Sequence, residues 1–350
     1  MHQFTDSEAL SGIVHEALGA KAHVVGVDRL RGGSKKGVYR VHTSGSRAAS
    51  VIVYSWAEAE NFWPAAEAID PAHPFAPASG LAPFLAAQQR LDRLEVRVPG
   101  VLLADDSRRR HPADVAAVED VAGGTLEALQ GRDPARASHA LSELAAMLDV
   151  MHQQHSQHYG RVDVLERGGK ASGDSCEQLV LERAIEDLAE AAERDPSIGS
   201  ATASLHDRLQ ELATRVTPRT QHALIHGELG PDHVLVDDSG HPVLIDIEGL
   251  MFFDAEWEHV FPQLRFGDQY PAFSRPGLDP ARLDLYMLAM RLSLVAGPLR
   301  LLDGDFPHRT VMQEIAEHNA KEALALLVSQ HRGRHIRIAS AATCLHGRPP

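Results

Sequence analysis

Residues 223–248 read ALIHGELGPDHVLVDDSGHPVLIDIE, and their pattern sets the terms for the whole chain. Two short apolar runs flank Asp237-Asp238-Ser239-Gly240, a turn composition that predicts a β-hairpin. His226, Glu228 and His233 gather before and at the first run, while Asp246 and Glu248 close the second. A hairpin that fixes acids and imidazoles at its two ends suits a metal-assisted reaction. One carboxylate can handle a proton while the others hold a cation.

Outward from this hairpin the chain changes character. Toward the N-terminus, apolar spacing predicts a helix over Ser7–Leu18, then strands at Val24–Arg31, Val38–His42 and Ser50–Trp56. The turn Gly32-Gly33-Ser34-Lys35-Lys36-Gly37 separates the first two strands. Pro64–Gly80, rich in Pro and Ala, reads as a long mobile surface loop. Leu81–Leu94 has helical periodicity, and Val96–Leu103 and Val115–Val121 read as two further strands. Beyond Ala122-Gly123-Gly124 the pattern turns helical: Ala137–His155, Cys176–Arg194, Ser204–Arg215, Leu283–Ala296 and Val311–Val328, with Arg161–Ser175 a polar loop. His152, His155 and His158 form an i, i+3, i+6 series, read as a solvated helix end.

Composition narrows the classes. The 350 residues suffice for two lobes with separate cores, and 44% hydrophobic content is that of a globular protein. A net charge of −14 argues against a nucleic-acid partner held by phosphate neutralisation, and leaves a cationic ligand or simple solubility as its meaning. No apolar run spans a bilayer, and the opening MHQFTDSEAL lacks a secretory leader pattern. Two distant cysteines, Cys176 and Cys344, give no disulfide framework or Cys-rich zinc site, which fits a cytoplasmic protein.

The hairpin segment resembles the catalytic loop and metal-binding segment of the aminoglycoside phosphotransferase family, relatives of the protein kinases. That pattern runs His-Gly-Asp-x-x-x-x-Asn, then a hairpin ending in Ile-Asp. Here Glu228 stands for the Asp and His233 for the Asn. The resemblance implies an α+β, bilobal, protein-kinase-like fold. It divides the chain into an antiparallel N-lobe over 1–118, a hinge over 119–124 and a helical C-lobe over 125–350. It also implies ATP or GTP as co-substrate, Mg²⁺ or Mn²⁺ as cofactor, and a small hydroxylated acceptor, such as a cationic antibiotic, with the chain a monomer or homodimer.

Roles follow the motif. Glu228 takes the place of the base that orients the acceptor hydroxyl, with its extra methylene moving the oxygen by about 1 Å, a scale that can cost on the order of 10²-fold. His226 is implied to orient the loop. Asp246 aligns with the principal magnesium ligand. His233 replaces an oxygen ligand by a softer nitrogen. That leaves open a single metal, ligation relayed to Asp232 or Glu248, or a preference for Mn²⁺. Gly32, Gly33, Ser34, Lys35 and Lys36 occupy the position of the glycine-rich phosphate loop. Backbone groups of Glu119 and Val121 are implied to meet the purine. Asp254, Glu256 and Glu258, with Asp268, are candidates for an amine-bearing acceptor or are ordinary helix-start acids.

One part of the family pattern is absent. The third strand, SVIVYSW, carries no lysine for the nucleotide phosphates, and Leu81–Leu94 carries no partner glutamate. Lys35 or Lys36, with Arg40 a weaker candidate, can supply the cation from the neighbouring strand, and Lys36 is the expected one. The readings that stand are a small-molecule kinase of antibiotic type, a kinase with a sugar, amino alcohol or nucleoside acceptor, and a nucleotide-binding regulatory protein without turnover.

Overall fold

Strands alternating apolar residues at period two build the first layer. In a computed structural model of the chain, residues 7–30, 34–64, 70–109 and 111–342 are described, with side chains through residue 327. Helix α1 (Ser7–Leu18) precedes β1 (His23–Arg29), β2 (Gly37–Ser44) and β3 (Ser50–Ser55). Helix α2 (Leu81–Asp92) separates these from β4 (Val101–Asp105) and β5 (Val115–Glu119). The five strands stand antiparallel in the order β1-β2-β3-β5-β4. Their alternation sends Tyr39, Val41, Val51 and Val53 toward Leu10 and Val14 of α1. Ile52, Tyr54, Ala116 and Val118 go to the other face, with Phe84 and Leu91 of α2.

The chain continues through α3 (Leu126–Arg132), α4 (Pro134–His152), β6 (His155–Ser156), β7 (Gly160–Arg161) and α5 (Val162–Leu165). Then come α6 (Cys176–Arg194), α7 (Pro196–Ala213), β8 (His222–Ile225), β9 (Val234–Val236) and β10 (Pro242–Leu244). Last are β11 (Met251–Phe253), α8 (Ala255–Arg265), α9 (Pro280–Leu301) and α10 (Arg309–Ala342). A four-stranded sheet in the order β6-β8-β11-β7 leads into the segment at 226–233, and β9 and β10 form the expected hairpin. In its turn Asp237 Oδ1 accepts from the amides of Ser239 and His241, and Gly240 takes a left-handed φ of 95°.

Two compact units result. The first joins residues 1–173 to 219–278. Its core runs from the inner sheet face and α2 through α4 to β9, β10 and the turn after Asp246. The second joins 174–218 to 279–350 and contains α6, α7, α9 and α10. Arg282 is fully buried within it, donating to the Thr217 carbonyl and lying 3.2 Å from Tyr286 Oη. No described helix is long and apolar enough to cross a membrane.

Several boundaries differ from the sequence reading, each for a visible reason. Helices α4, α7 and α9 begin earlier than their apolar periodicity, because each opens on an Asp-Pro pair. Asp133, Asp195 and Asp279 accept hydrogen bonds from the first-turn amides, and the following proline occupies the first helical position. The strand expected over Val96–Leu103 starts only at Val101, after Pro99, which cannot donate to a ladder. The described part of the 64–80 loop lacks regular structure but is tied down. Arg161 donates to the carbonyls of Pro71 and Ala76, and Phe75 packs on Phe253 and Trp257 with ring centroids 5.4 and 5.1 Å away. His152, expected at a solvated helix end, is instead buried, whereas His155 and His158 are exposed.

Candidate active site

Strand β8 delivers His226 and the loop Gly227-Glu228-Leu229 to one end of the hairpin. The loop is held from below, where Gly227 donates its amide to Glu258 Oε2 at 2.9 Å. Gly227 itself needs glycine, with φ at 89° and Met251 3.2 Å from where a Cβ would stand. Glu258 is fully buried on α8. Burial pushes its carboxyl up to about 7, against the opposing pull of the loop amides. His226 is buried too. It donates from Nε2 to the Ile245 carbonyl at 2.9 Å, which staples the loop to the far end of the hairpin. Burial, and then the neighbouring His233 ring, push His226 down to about 4, so it works as a neutral orienting group.

Glu228 projects outward and is exposed, with its own carbonyl accepting from His233 Nδ1 at 2.7 Å. That hydrogen bond fixes the tautomer of His233 and turns Nε2 toward the acids. Nε2 lies 3.8 Å from Asp246 Oδ2 and 3.9 Å from Asp232 Oδ2. Burial opposes a charge on this ring, but Asp246, Glu228 and Asp232 together hold its pKa above the usual histidine value. Asp232 is also paired with Arg265 at 2.8 Å.

Asp246 follows β10 with φ 60° and ψ 44°, a left-handed backbone that a non-glycine residue adopts at a cost. The reversal puts Asp246 and Glu248 on the same partner, Lys36. Its Nζ is 3.0 Å from Asp246 Oδ1 and hydrogen-bonded to Glu248 Oε1. Lys36 is nearly buried at the start of β2 and lies 4.9 Å from the Tyr54 ring centroid, beside the third strand that lacks a cation. Burial works against its charge, but Glu248 and Asp246 outweigh that and raise its pKa. Loss of water around its carboxylate likewise disfavours the charged Asp246, whose side chain still reaches solvent, yet Lys36 and His233 hold it below the ordinary range.

The structure thus brings Lys36, Glu228, His233 and Asp246 together. Gly32 and Gly33 lie outside the described residues. Ser34 and Lys35 are turned to the segment after β3: Trp63 Nε1 donates to Ser34 Oγ at 3.0 Å, and Lys35 Nζ stands 5.8 Å from the Trp63 ring centroid. Glu119 ends β5, with its side chain paired to Arg97 at 2.6 Å and its amide bonded to the Gly100 carbonyl; Val121 is buried just beyond. Between them Asp120 takes both Arg40 nitrogens, at 2.8 and 3.0 Å, and the Ser50 hydroxyl. Arg40 is therefore engaged at the crossing from sheet to helices. Asp254, Glu256 and Glu258 form a buried group below the loop: Arg219 grips Glu256 at 2.7 and 3.0 Å and lies 3.9 Å from Asp254.

The roles of two acids escaped sequence reading. Glu248 is the acid partner of Lys36. It was sought on α2, whereas α2 merely packs against the turn at 247–249 that carries it. Its signal was an acid inside the apolar run Ile247–Phe253. Glu60 is fully buried, bonded to Tyr39 Oη and to Arg29 Nη2 at 2.9 Å, and it packs where a Gly37 side chain would stand. Nothing in AEAEN distinguishes it from a surface acid.

The donor set of Asp246 and His233, with a tautomer-fixed imidazole and an acid open to solvent, fits a divalent cation. A buried lysine is joined to that acid across the sheet, and an exposed carboxylate tops the loop. Such an arrangement offers what phosphoryl transfer needs, positioning and charge neutralisation. A sequence model of the phosphotransferase enzyme family (APH) matches residues 27–260, and the chain belongs to that family. Its fold is similar to that of spectinomycin phosphotransferase, APH(9)-Ia, solved with ADP and spectinomycin. That likeness has 10% identity and a TM-score of 0.63, covering 93% of this chain and 99% of the other. It is also similar to APH(2")-IIIa, solved with GDP and kanamycin (17% identity, TM-score 0.57, 91% and 98% covered). A third likeness is to a protein from Thermobifida fusca YX-ER1 assigned as a fructosamine-3-kinase (19% identity, TM-score 0.52, 91% and 100% covered). No curated protein matches the sequence.

Proposed function

We propose that the chain transfers the γ-phosphoryl group of ATP or GTP to a hydroxyl of a small molecule of antibiotic type. The observation that carries this reading is the convergence of Lys36 and Asp246 from opposite ends of the first unit. It supplies a phosphate-binding cation beside a metal-binding acid although the third strand lacks its lysine. Phosphoryl transfer asks little covalent help of the protein; it needs reactants in line and charge neutralised.

In this reading Lys36 holds the nucleotide's phosphate oxygens, and Glu248 keeps it extended and charged. Glu228 accepts the hydrogen bond of the acceptor hydroxyl and orients it, free to do so because its side chain is exposed. Asp246 and His233 hold Mg²⁺ or Mn²⁺, which when bound neutralises phosphate charge. The backbone at Glu119 and Val121 meets the purine. Glu258, Glu256 and Asp254, being buried, support the loop from beneath. A cationic acceptor is favoured by the chain's −14 charge.

The test is nucleotide consumption by purified protein with Mg²⁺ or Mn²⁺ across a panel of hydroxylated antibiotics, sugars and amino alcohols, beside Glu228→Gln and Asp246→Ala. Turnover on one acceptor, lost in both variants, supports the proposal. Nucleotide binding without turnover on any acceptor supports a regulatory module in its place.

A further inference from the structure

A small cavity of about 30 Å³ lies in the first unit beside the C-terminal end of α4, and it shares no residue with the Lys36–Asp246 centre. Leu148 and Phe273 give it an apolar wall; His152, His259 and Arg275 are its main polar groups. Asp149 and Ser274, both exposed, complete its polar lining. The volume accommodates a pair of waters or one small polar headgroup.

The polar groups are unmatched in a particular sense. His152 is 1% exposed, and neither of its ring nitrogens has a partner. His259 is 2% exposed, and its Nε2 has none either. Its other nitrogen, Nδ1, is 3.1 Å from Tyr270 Oη, which accepts from Gln263 Nε2 at 3.1 Å. The phenol oxygen has a second lone pair, so it either accepts from His259 Nδ1–H or donates to Nδ1. In the second arrangement the ring's own proton sits on Nε2, and a donor is left unpaired there. Arg275 Nη1 is a further buried nitrogen without a partner, the fourth after the two of His152 and the one of His259. Buried donors are costly to leave unpaired, and three in one cavity call for a ligand rich in acceptors. A metal ion is disfavoured, because the guanidinium repels it.

We propose that this cavity is a second binding site, taking a small oxyanion, either inorganic phosphate or the carboxylate of a small acid, on Arg275 Nη1 and the ring N–H groups of His152 and His259. Burial, then the neighbouring His259 and Arg275, push His152 down to about 3, and burial and Arg275 push His259 down to about 4. Both rings are thus neutral at pH 7 in the free protein, each bearing one donor. An anion among them favours the imidazolium form, which gives a spectroscopic signature. Asp149 is the acid in the lining that opposes the anion, and it is exposed, where solvent screens it.

The experiment is a titration of the full chain at constant ionic strength with sodium phosphate and, separately, sodium acetate, followed in long-range ¹H–¹⁵N spectra of the histidine rings. The expected result is a saturable shift of the His152 and His259 ring nitrogens toward the imidazolium position, with the tighter of the two salts identifying the source of the oxyanion. Arg275→Gln weakens it by roughly tenfold or more, Arg275→Lys retains part of it, and Asp246→Ala leaves it in place. Two outcomes overturn the site. One is no saturable shift with either salt, which leaves the cavity to water. The other is a shift that persists in both Arg275 variants and vanishes in Lys36→Ala, which puts the anion in the cleft.

Discussion

Lys36 Nζ stands 3.0 Å from Asp246 Oδ1, though 210 residues separate them in the chain. One comes from the strand after the glycine turn, the other from the end of a hairpin, and Glu248 binds the same ammonium. The cation is thus presented from β2, over the ring of Tyr54 on β3. In the proposed reading, the phosphate-binding position is defined by where the charge sits and not by which strand supplies it.

Removing that charge separates stability from chemistry. Lys36→Met leaves Glu248 buried without its partner and is expected to destabilise the protein by about 3 kcal/mol. Adding Glu248→Gln recovers most of that loss in a denaturant titration, because the stranded charge is gone. Nucleotide affinity and turnover stay lost in the double variant. Lys35→Ala, whose ammonium lies over Trp63, changes neither by more than a few-fold. Recovery of turnover in the double variant contradicts the assignment of Lys36.

In the proposed reading, His233 sets the metal preference. His233→Asn substitutes a hard oxygen for imidazole nitrogen, and the ratio of Mg²⁺- to Mn²⁺-supported rates is expected to rise by roughly tenfold. Nucleotide affinity measured without metal stays unchanged. An unaltered ratio in steady-state assays means that His233 is not a ligand.

Glu258 makes stability depend on pH in a defined direction. Its carboxyl rises to about 7 in the folded protein from an ordinary 4.5, so folding favours its protonated form. The contribution is fully present below pH 4.5 and is lost as pH climbs through 7; at most it is on the order of 3 kcal/mol. Glu258→Gln keeps an oxygen for the Gly227 amide and removes the titration. Denaturant unfolding at pH 5 and pH 8 is expected to show a smaller difference for this variant than for the wild type. Equal differences contradict the assignment.

Gly123 tests the packing of the crossing onto the hairpin. A Cβ there falls 1.6 Å from the Val236 carbonyl oxygen, a backbone atom that cannot swing aside. Gly123→Ala is expected to cost about 1–3 kcal/mol or more and to lower the melting temperature. Gly131→Ala, which meets nothing within 4 Å, serves as the control and is neutral or slightly stabilising.

The fold was legible where local chemistry decides it. α1 and α6 fall where their apolar spacing puts them, and the Asp237–Gly240 turn closes the hairpin as its composition demands. Helix starts went wrong at Asp133, Asp195 and Asp279, since apolar periodicity does not register caps outside the buried face. Within the centre, Asp246 and Lys36 were readable from the resemblance to the family motif and from the absence of a cation on β3. The pairing of Glu248 with Lys36, the burial of Glu60 and the loop-holding role of Glu258 were not. Each depends on which distant backbone or side chain a buried acid meets, and sequence separation carries no record of that.

The crossing from sheet to helices has one more consequence. Asp120 is locked to β2 and β3 through Arg40 and Ser50, and four residues later Gly124 accepts the Val236 amide of the hairpin at 2.9 Å. Both ends of this short span are fastened, and Gly123 is wedged flat between them. Only Val121 and Ala122 remain to absorb a rotation, and Val121 is already buried. A pivot with so little chain cannot swing far. In the proposed reading, this makes the purine end of the cleft a fixed gauge, and the widening that admits or releases a ligand falls to the opposite end of the strands.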